Sequence, residues 1–142
     1  MKIIHNWDKE NYKATCIIKD KNCTFIGEAQ CHPEDLEFAS AITGGYIAEG
    51  RAYIKLYQHT KNNELYPQIK ILEHTLNIIK SSKYYNPKDV SAIRLEQELA
   101  RKKSEIEQIK LAIKNEENNL RDYITNKDKL HKLLGKRKQS SN

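Results

Sequence analysis

The sequence predicts an α+β protein, with a small N-terminal antiparallel β-sheet followed by a long antiparallel helical hairpin. Three features point there. Up to residue 31, apolar and polar residues alternate with a period of two. From Tyr46 onward the apolar residues recur at intervals of three and four. Between the two stretches stands His32-Pro33-Glu34-Asp35, which places a proline at the first helical position and acids at the positive end of the helix dipole. Residues 1–134 are expected to form one α+β domain, and residues 135–142 a basic, disordered tail.

Taking the elements in order, residues 1–31 read as a β-hairpin region. Tyr12, Ala14, Cys16 and Ile18 alternate with Lys13, Thr15, Ile17 and Lys19, and Asp20-Lys21-Asn22 makes a polar turn. Phe25, Gly27, Ala29 and Cys31 then alternate with Thr24, Ile26, Glu28 and Gln30, so one face is apolar. An isolated hairpin is marginal in water and needs a third strand, a helix or another chain. Residues 2–5 are the candidate third strand. Residues 32–42 read as a short helix stopped by Thr43-Gly44-Gly45.

Two helical arms follow, over 45–81 and 87–134, separated by Tyr84-Tyr85-Asn86-Pro87. Leu65, Ile69, Leu72, Leu76 and Ile79 form the stripe of the first arm. Pro67 should kink or restart that helix, with Asn62-Asn63 as a cap region. The second arm carries Leu99, Ile106, Ile109, Ile113, Leu120 and Tyr123 on one heptad-like seam, interrupted by Lys102 and Glu116, as in a coiled coil. At 1.5 Å per residue the arms would each run roughly 50–70 Å, far beyond the sheet. The remaining apolar stripe then needs another chain, or the hairpin stands as a rod. Gly135 is the expected helix stop before Lys136-Arg137-Lys138.

Composition bounds the class. The chain has 142 residues, a net charge of +6, 38% apolar and 31% charged residues, a pI near 9.1 and a mean hydropathy of −0.82. That length supplies one compact domain, or one with an extended element. No apolar run approaches the roughly 18 residues a bilayer span needs. Residues 1–7 lack the apolar core of a secretory signal. Three cysteines, an odd number, point to reduced thiols in a cytosol. Collagen, membrane, disulfide-scaffold and fully disordered classes are excluded.

The candidate chemistries differ in weight. Cys16, Cys23, Cys31 and His32 form the one metal-like cluster, but its spacings are not those of paired zinc ligands. Cysteines on the apolar faces of strands behave as small hydrophobes, so no metal and no cofactor is expected. Cys31-His32 are sequence neighbours whose side chains diverge in a strand, Glu34-Asp35 complement a dipole, and Glu116-Glu117 form a solvated face. No serine sits in a glycine-rich elbow. The chain is therefore not expected to be an enzyme. The clusters Arg101-Lys102-Lys103 and Lys136-Arg137-Lys138 would give salt-sensitive, non-specific nucleic-acid attraction at most.

Small-anion binding is the sharper hypothesis. Thr43 and Gly44 open the first arm, where free backbone N–H groups and the dipole attract phosphate. Arg51 and Lys55 lie four apart on one face of that helix, with Tyr53 and Tyr57 nearby, and Arg51 offers a bidentate fork. At the far turn, Tyr84, Tyr85 and Asn86 combine aromatic rings with an amide, which would stack a base and bond its edge. Each part also has a plain structural role open to it: a glycine hinge, a salt bridge, a hairpin cap. A shared pocket would need an antiparallel second protomer.

The run Gly27-Glu28-Ala29-Gln30-Cys31-His32-Pro33-Glu34-Asp35, followed by Thr43-Gly44, Ile47-Ala48-Glu49 and Arg51-Ala52, resembles small proteins carried by phages of Gram-positive bacteria. Continued through Lys61-Asn62-Asn63-Glu64-Leu65, Pro67 and Tyr85-Asn86-Pro87, it resembles the first-described Thoeris anti-defence (Tad) sponge family. The similarity covers roughly residues 25–101. It implies a non-enzymatic phage protein acting in the host cytoplasm. Such a protein sequesters glycocyclic ADP-ribose made by TIR-domain proteins, and some members also bind cyclic di- and trinucleotides of CBASS immunity. The resemblance further implies dimers or higher homo-oligomers, with pockets between chains. Arg51 matches the motif arginine, and Tyr85 a position where relatives carry an aromatic ring. Arg94 and Arg101 are added on chemistry alone. On this reading Tyr84 or Tyr85 stacks the adenine, Arg51 with Lys55 and Arg94 or Arg101 pairs with the pyrophosphate, and Asn86 bonds a ribose or base edge. Two other classes stay open, a helical-hairpin adaptor or structural phage protein and a non-specific nucleic-acid binder.

Overall fold

The structure, a computed structural model, describes residues 1–30 and 41–140, the side chains of 127–140 excepted. Cys31, His32 and most of the short helix expected over 32–42 lie outside the described residues. The architecture is α+β, a three-stranded antiparallel sheet followed by helices. The chain divides into two compact units, Met1–Leu56 with Lys114–Asn142, and Tyr57–Ile113.

In the first unit, β1 (Lys2–Asp8), β2 (Lys13–Asp20) and β3 (Cys23–Gln30) stand in the order β1-β2-β3. The third strand expected over residues 2–5 is present and longer. Asn6 and Asp8, poor strand formers alone, extend it by pairing with Thr15 and Lys13. The turn after it is tied by Asp8, whose Oδ1 accepts from the backbone N–H groups of Glu10 and Asn11, both at 3.1 Å. Its Oδ2 accepts from the Asn11 amide at 2.7 Å. These bonds hold the Asp8 carboxyl below its ordinary value, the Asn11 side chain contributing most. Tyr12 and Lys21, the turn residues before β2 and β3, take left-handed φ angles of 51° and 55°.

Period-two alternation makes one face of this sheet apolar, as the sequence predicts. Ala14, Cys16, Ile18, Phe25 and Ala29 are buried, against Ile47, Ala48 and Ala52 of helix α1 (Ala41–His59) and Leu120. Gly27 makes this packing possible. A Cβ there would stand 2.0 Å from the Ala48 carbonyl oxygen and 2.5 Å from the Ala52 nitrogen, so the α1 backbone rests directly on the strand.

The expected helix break at Thr43-Gly44-Gly45 is corrected, because α1 runs through all three. Gly44 is there for space. A Cβ would meet the Ala14 Cβ at 2.8 Å and the Trp7 ring at 3.3 Å. Gly50 likewise gives room to Leu120 and Glu116.

In the second unit the first arm is not one α-helix. A π-helical turn, Thr60–Leu65, follows α1, and α2 (Tyr66–Lys80) restarts with Pro67 in its first turn. A proline near a helix start loses no needed hydrogen bond. The restart expected at Pro67 is thus seen, with a widened turn in place of a side-chain cap at Asn62-Asn63. After the turn over 81–89, α3 (Val90–Ser140) begins. It continues through Gly135, where the sequence predicts a helix stop and a disordered tail. Leu65, Ile69 and Ile106 form a buried cluster joined by Leu99 and Ile109. Lys80–Glu96 at 2.8 Å and Glu73–Lys103 at 3.3 Å run in opposite order along α2 and α3, as an antiparallel hairpin requires. The heptad seam is real, since Ile106, Ile113 and Leu120 are all buried. Lys102, the polar interruption, stands 3.9 Å from both Glu98 and Glu105.

Candidate functional site

Arg51 and Lys55, one helical turn apart, both reach β3, the edge strand among the described residues. Arg51 Nη1 donates to the Glu28 carbonyl oxygen at 2.7 Å, and Lys55 Nζ donates to that of Ile26 at 2.6 Å. The sequence predicts the shared face, and the helix–sheet approach at Gly27 brings both side chains within reach of the strand. Both residues remain exposed. Arg51 spends one N–H of its five on this bond, so the guanidinium is anchored with donors to spare. The arrangement is a pair of exposed cations, each held on a β3 carbonyl.

Thr43 and Gly44 lie in the first turn of α1 as described, and Gly44 is buried against Trp7 and Ala14.

The remaining expected site residues fall in the second unit. Tyr84 is 84% exposed, with the Lys83 ammonium 5.3 Å from its ring centroid. Its backbone N–H donates to Ser82 Oγ at 3.2 Å, and that of Tyr85 to the Ser82 carbonyl at 3.1 Å. Asn86 is the organiser of the turn. Its Oδ1 accepts from the Lys88 N–H at 3.0 Å, and its carbonyl accepts from the Asp89 N–H at 2.9 Å. One acceptor site of its amide is thus engaged by the turn's own backbone. Arg94 is exposed. Arg101 is turned onto its own helix, with Nη2 2.6 Å from both Glu98 carboxylate oxygens. That bond raises its already high pKa further. Arg101 thus meets any anion already paired.

One concavity has no counterpart among the expected sites. A hollow of about 530 Å³ lies between β1 and the start of α1, lined by His5, Asn6, Trp7, Ala41, Ile42, Gly45, Tyr46 and Glu49. His5 Nε2 stands 3.9 Å from Glu49 Oε2. The Tyr46 ring packs on Tyr123 with centroids 4.5 Å apart. Extending the alternation Ile3, His5, Trp7 past residue 5 would have put the indole and the imidazole on one face of an edge strand. Ending the strand at residue 5 hides them. Close by, burial pushes the Cys16 thiol above its ordinary 9.0, and the Glu49 charge adds to the shift.

Among the described residues no group of three or more histidine, cysteine or acidic side chains is placed to hold a metal ion. No helix among them is long and apolar enough to cross a membrane. No protein-family model, curated protein or solved structure matches the chain.

Proposed function

We propose that the protein is a phage-encoded, non-enzymatic sponge of the Thoeris anti-defence type. In the host cytoplasm it binds a cyclic ADP-ribose isomer and withholds it from its effector, with cyclic di- or trinucleotides as further ligands. The observation that carries this reading is the Arg51–Lys55 pair, two exposed cations anchored side by side by the β3 carbonyls. A pyrophosphate carries negative charge on both phosphates, and a pre-placed guanidinium loses little entropy on binding it. Tyr84 and Tyr85 are the rings offered for stacking, and homo-oligomerisation belongs to the same reading. Holding a scarce signal calls for nanomolar affinity, about −12 kcal/mol.

The test mixes the pure protein with filtrate from cells whose TIR enzyme has been activated, removes free small molecules, denatures by heat and analyses the release by mass spectrometry. An intact cyclic ADP-ribose isomer supports sequestration, and Arg51→Ala should abolish it while the oligomer survives. A processed nucleotide means an enzyme. An empty release overturns the reading.

A second reading, a helical adaptor, is favoured by Ile71 and Ile78, seven residues apart on α2 and 66% and 60% exposed. It predicts that an Ile71→Glu, Ile78→Glu double variant no longer binds its protein partner, and that no small molecule is held.

A further inference from the structure

The hollow beside β1 has the wrong charge for a phosphate. In a chain of net charge +6, the described residues that line it include one carboxylate, Glu49, and no lysine or arginine. The His5 Nε2 stands 3.9 Å from Glu49 Oε2, beyond hydrogen-bond distance. Two aromatic side chains complete the wall, Trp7 from the edge strand and Tyr46 from the helix. An aromatic face attracts a cation through its quadrupole, most strongly for tryptophan.

We propose that this hollow is a binding site for a small organic cation bearing a guanidinium or alkylammonium group. Glu49 pairs with the charge, and Trp7 and Tyr46 enclose it. The volume, about 530 Å³, lies within the range of small-ligand sites. Gly45 leaves room in the hollow: among the described residues a Cβ there would meet only His5 Nδ1, at 4.0 Å. The site is distinct from the Arg51–Lys55 pair in position, sign and ligand class. It stands or falls independently of the sponge reading.

Trp7 is the one tryptophan of the chain, so its fluorescence reports the hollow directly. The full-length protein is titrated with agmatine and with tetramethylammonium, and with sodium chloride and AMP as ionic-strength and anion controls. The expected result is a saturable change in Trp7 emission with the two organic cations and none with the controls. Glu49→Gln should weaken the agmatine response at least fivefold. Gly45→Leu, which fills the hollow from a helical position that tolerates a side chain, should abolish it with the helical circular dichroism unchanged. No saturable change, an equal response to sodium chloride, a stronger response to AMP, or unaltered binding in the two folded variants would each overturn the proposal.

Discussion

Four glycines in the first unit should respond to alanine substitution in an order set by their neighbours. At Gly27 the new Cβ falls 2.0 Å from a carbonyl oxygen and 2.5 Å from a nitrogen of α1, both backbone atoms. Restoring ordinary contact at 3.4 Å moves the helix off the strand by about 1.4 Å. That loosens Ala48 and Ala52, both fully buried, together with the Cys16 and Ile18 packing beneath them. Overpacking costs about 1–3 kcal/mol, and a clash with backbone belongs at the upper end, about 3 kcal/mol. At Gly44 the obstruction is the Ala14 Cβ and the Trp7 ring, while alanine gains about 1 kcal/mol of helix propensity, leaving a loss of about 1–2 kcal/mol. At Gly50 the nearest atoms are the far ends of Leu120 and Glu116, which swing aside, so clash and propensity nearly cancel. At Gly45 only His5 Nδ1 is near, at 4.0 Å, and alanine should stabilise by about 0.5–1 kcal/mol. Urea unfolding followed by Trp7 fluorescence reads the series. With a slope of about 2 kcal/mol per molar, Gly27→Ala lowers the midpoint by about 1.5 M and Gly45→Ala raises it by about 0.3 M. If Gly27→Ala and Gly45→Ala have the same midpoint, the close helix–strand contact does not exist.

Other expectations are as direct. Leu65→Ala or Ile106→Ala in the second unit should cost about 2–4 kcal/mol and speed amide exchange within 57–113, read by hydrogen-exchange mass spectrometry. Asp8 has a lowered pKa, so its contribution to stability is present above the ordinary value of 3.8 and is lost as the pH falls through the lowered one. An NMR titration should place its midpoint below 3.8, and Asp8→Asn should remove that pH dependence. The Cys16 thiol is shifted the other way: its contribution is full below 9.0 and declines as the pH rises beyond it, because the unfolded thiol ionises first. Mapping of iodoacetamide adducts by mass spectrometry should find Cys16 modified far more slowly than Cys23.

Periodicity was the most legible part of the sequence. The strand alternation around Ala14, Cys16 and Ile18 and the seam through Ile106, Ile113 and Leu120 are buried where the pattern put them, because burial and periodicity express the same constraint. Glycine misleads. Gly44 and Gly45 score as helix breakers on intrinsic propensity, yet Gly44 is required by Trp7 and Ala14, which approach from another element. Such a requirement is tertiary and leaves no local mark. At Thr60–Leu65 the signals were present, an asparagine pair and Pro67, but a widened turn and a kink share them. For the candidate site, the i, i+4 pairing of Arg51 and Lys55 was legible. Their anchors on Glu28 and Ile26 follow only once Gly27 has let the helix down onto the sheet.

The two cations over β3 also guard the protein's solubility. An edge strand offers unpaired carbonyls to any passing β-segment, and charged side chains laid along it are a deterrent. Arg51 and Lys55 occupy the carbonyls of Glu28 and Ile26, on a strand whose Ile26 side chain is 40% exposed. Replacing both by alanine removes the guard. The double variant would then recruit β-segments at the bared edge, so light scattering and thioflavin binding should rise.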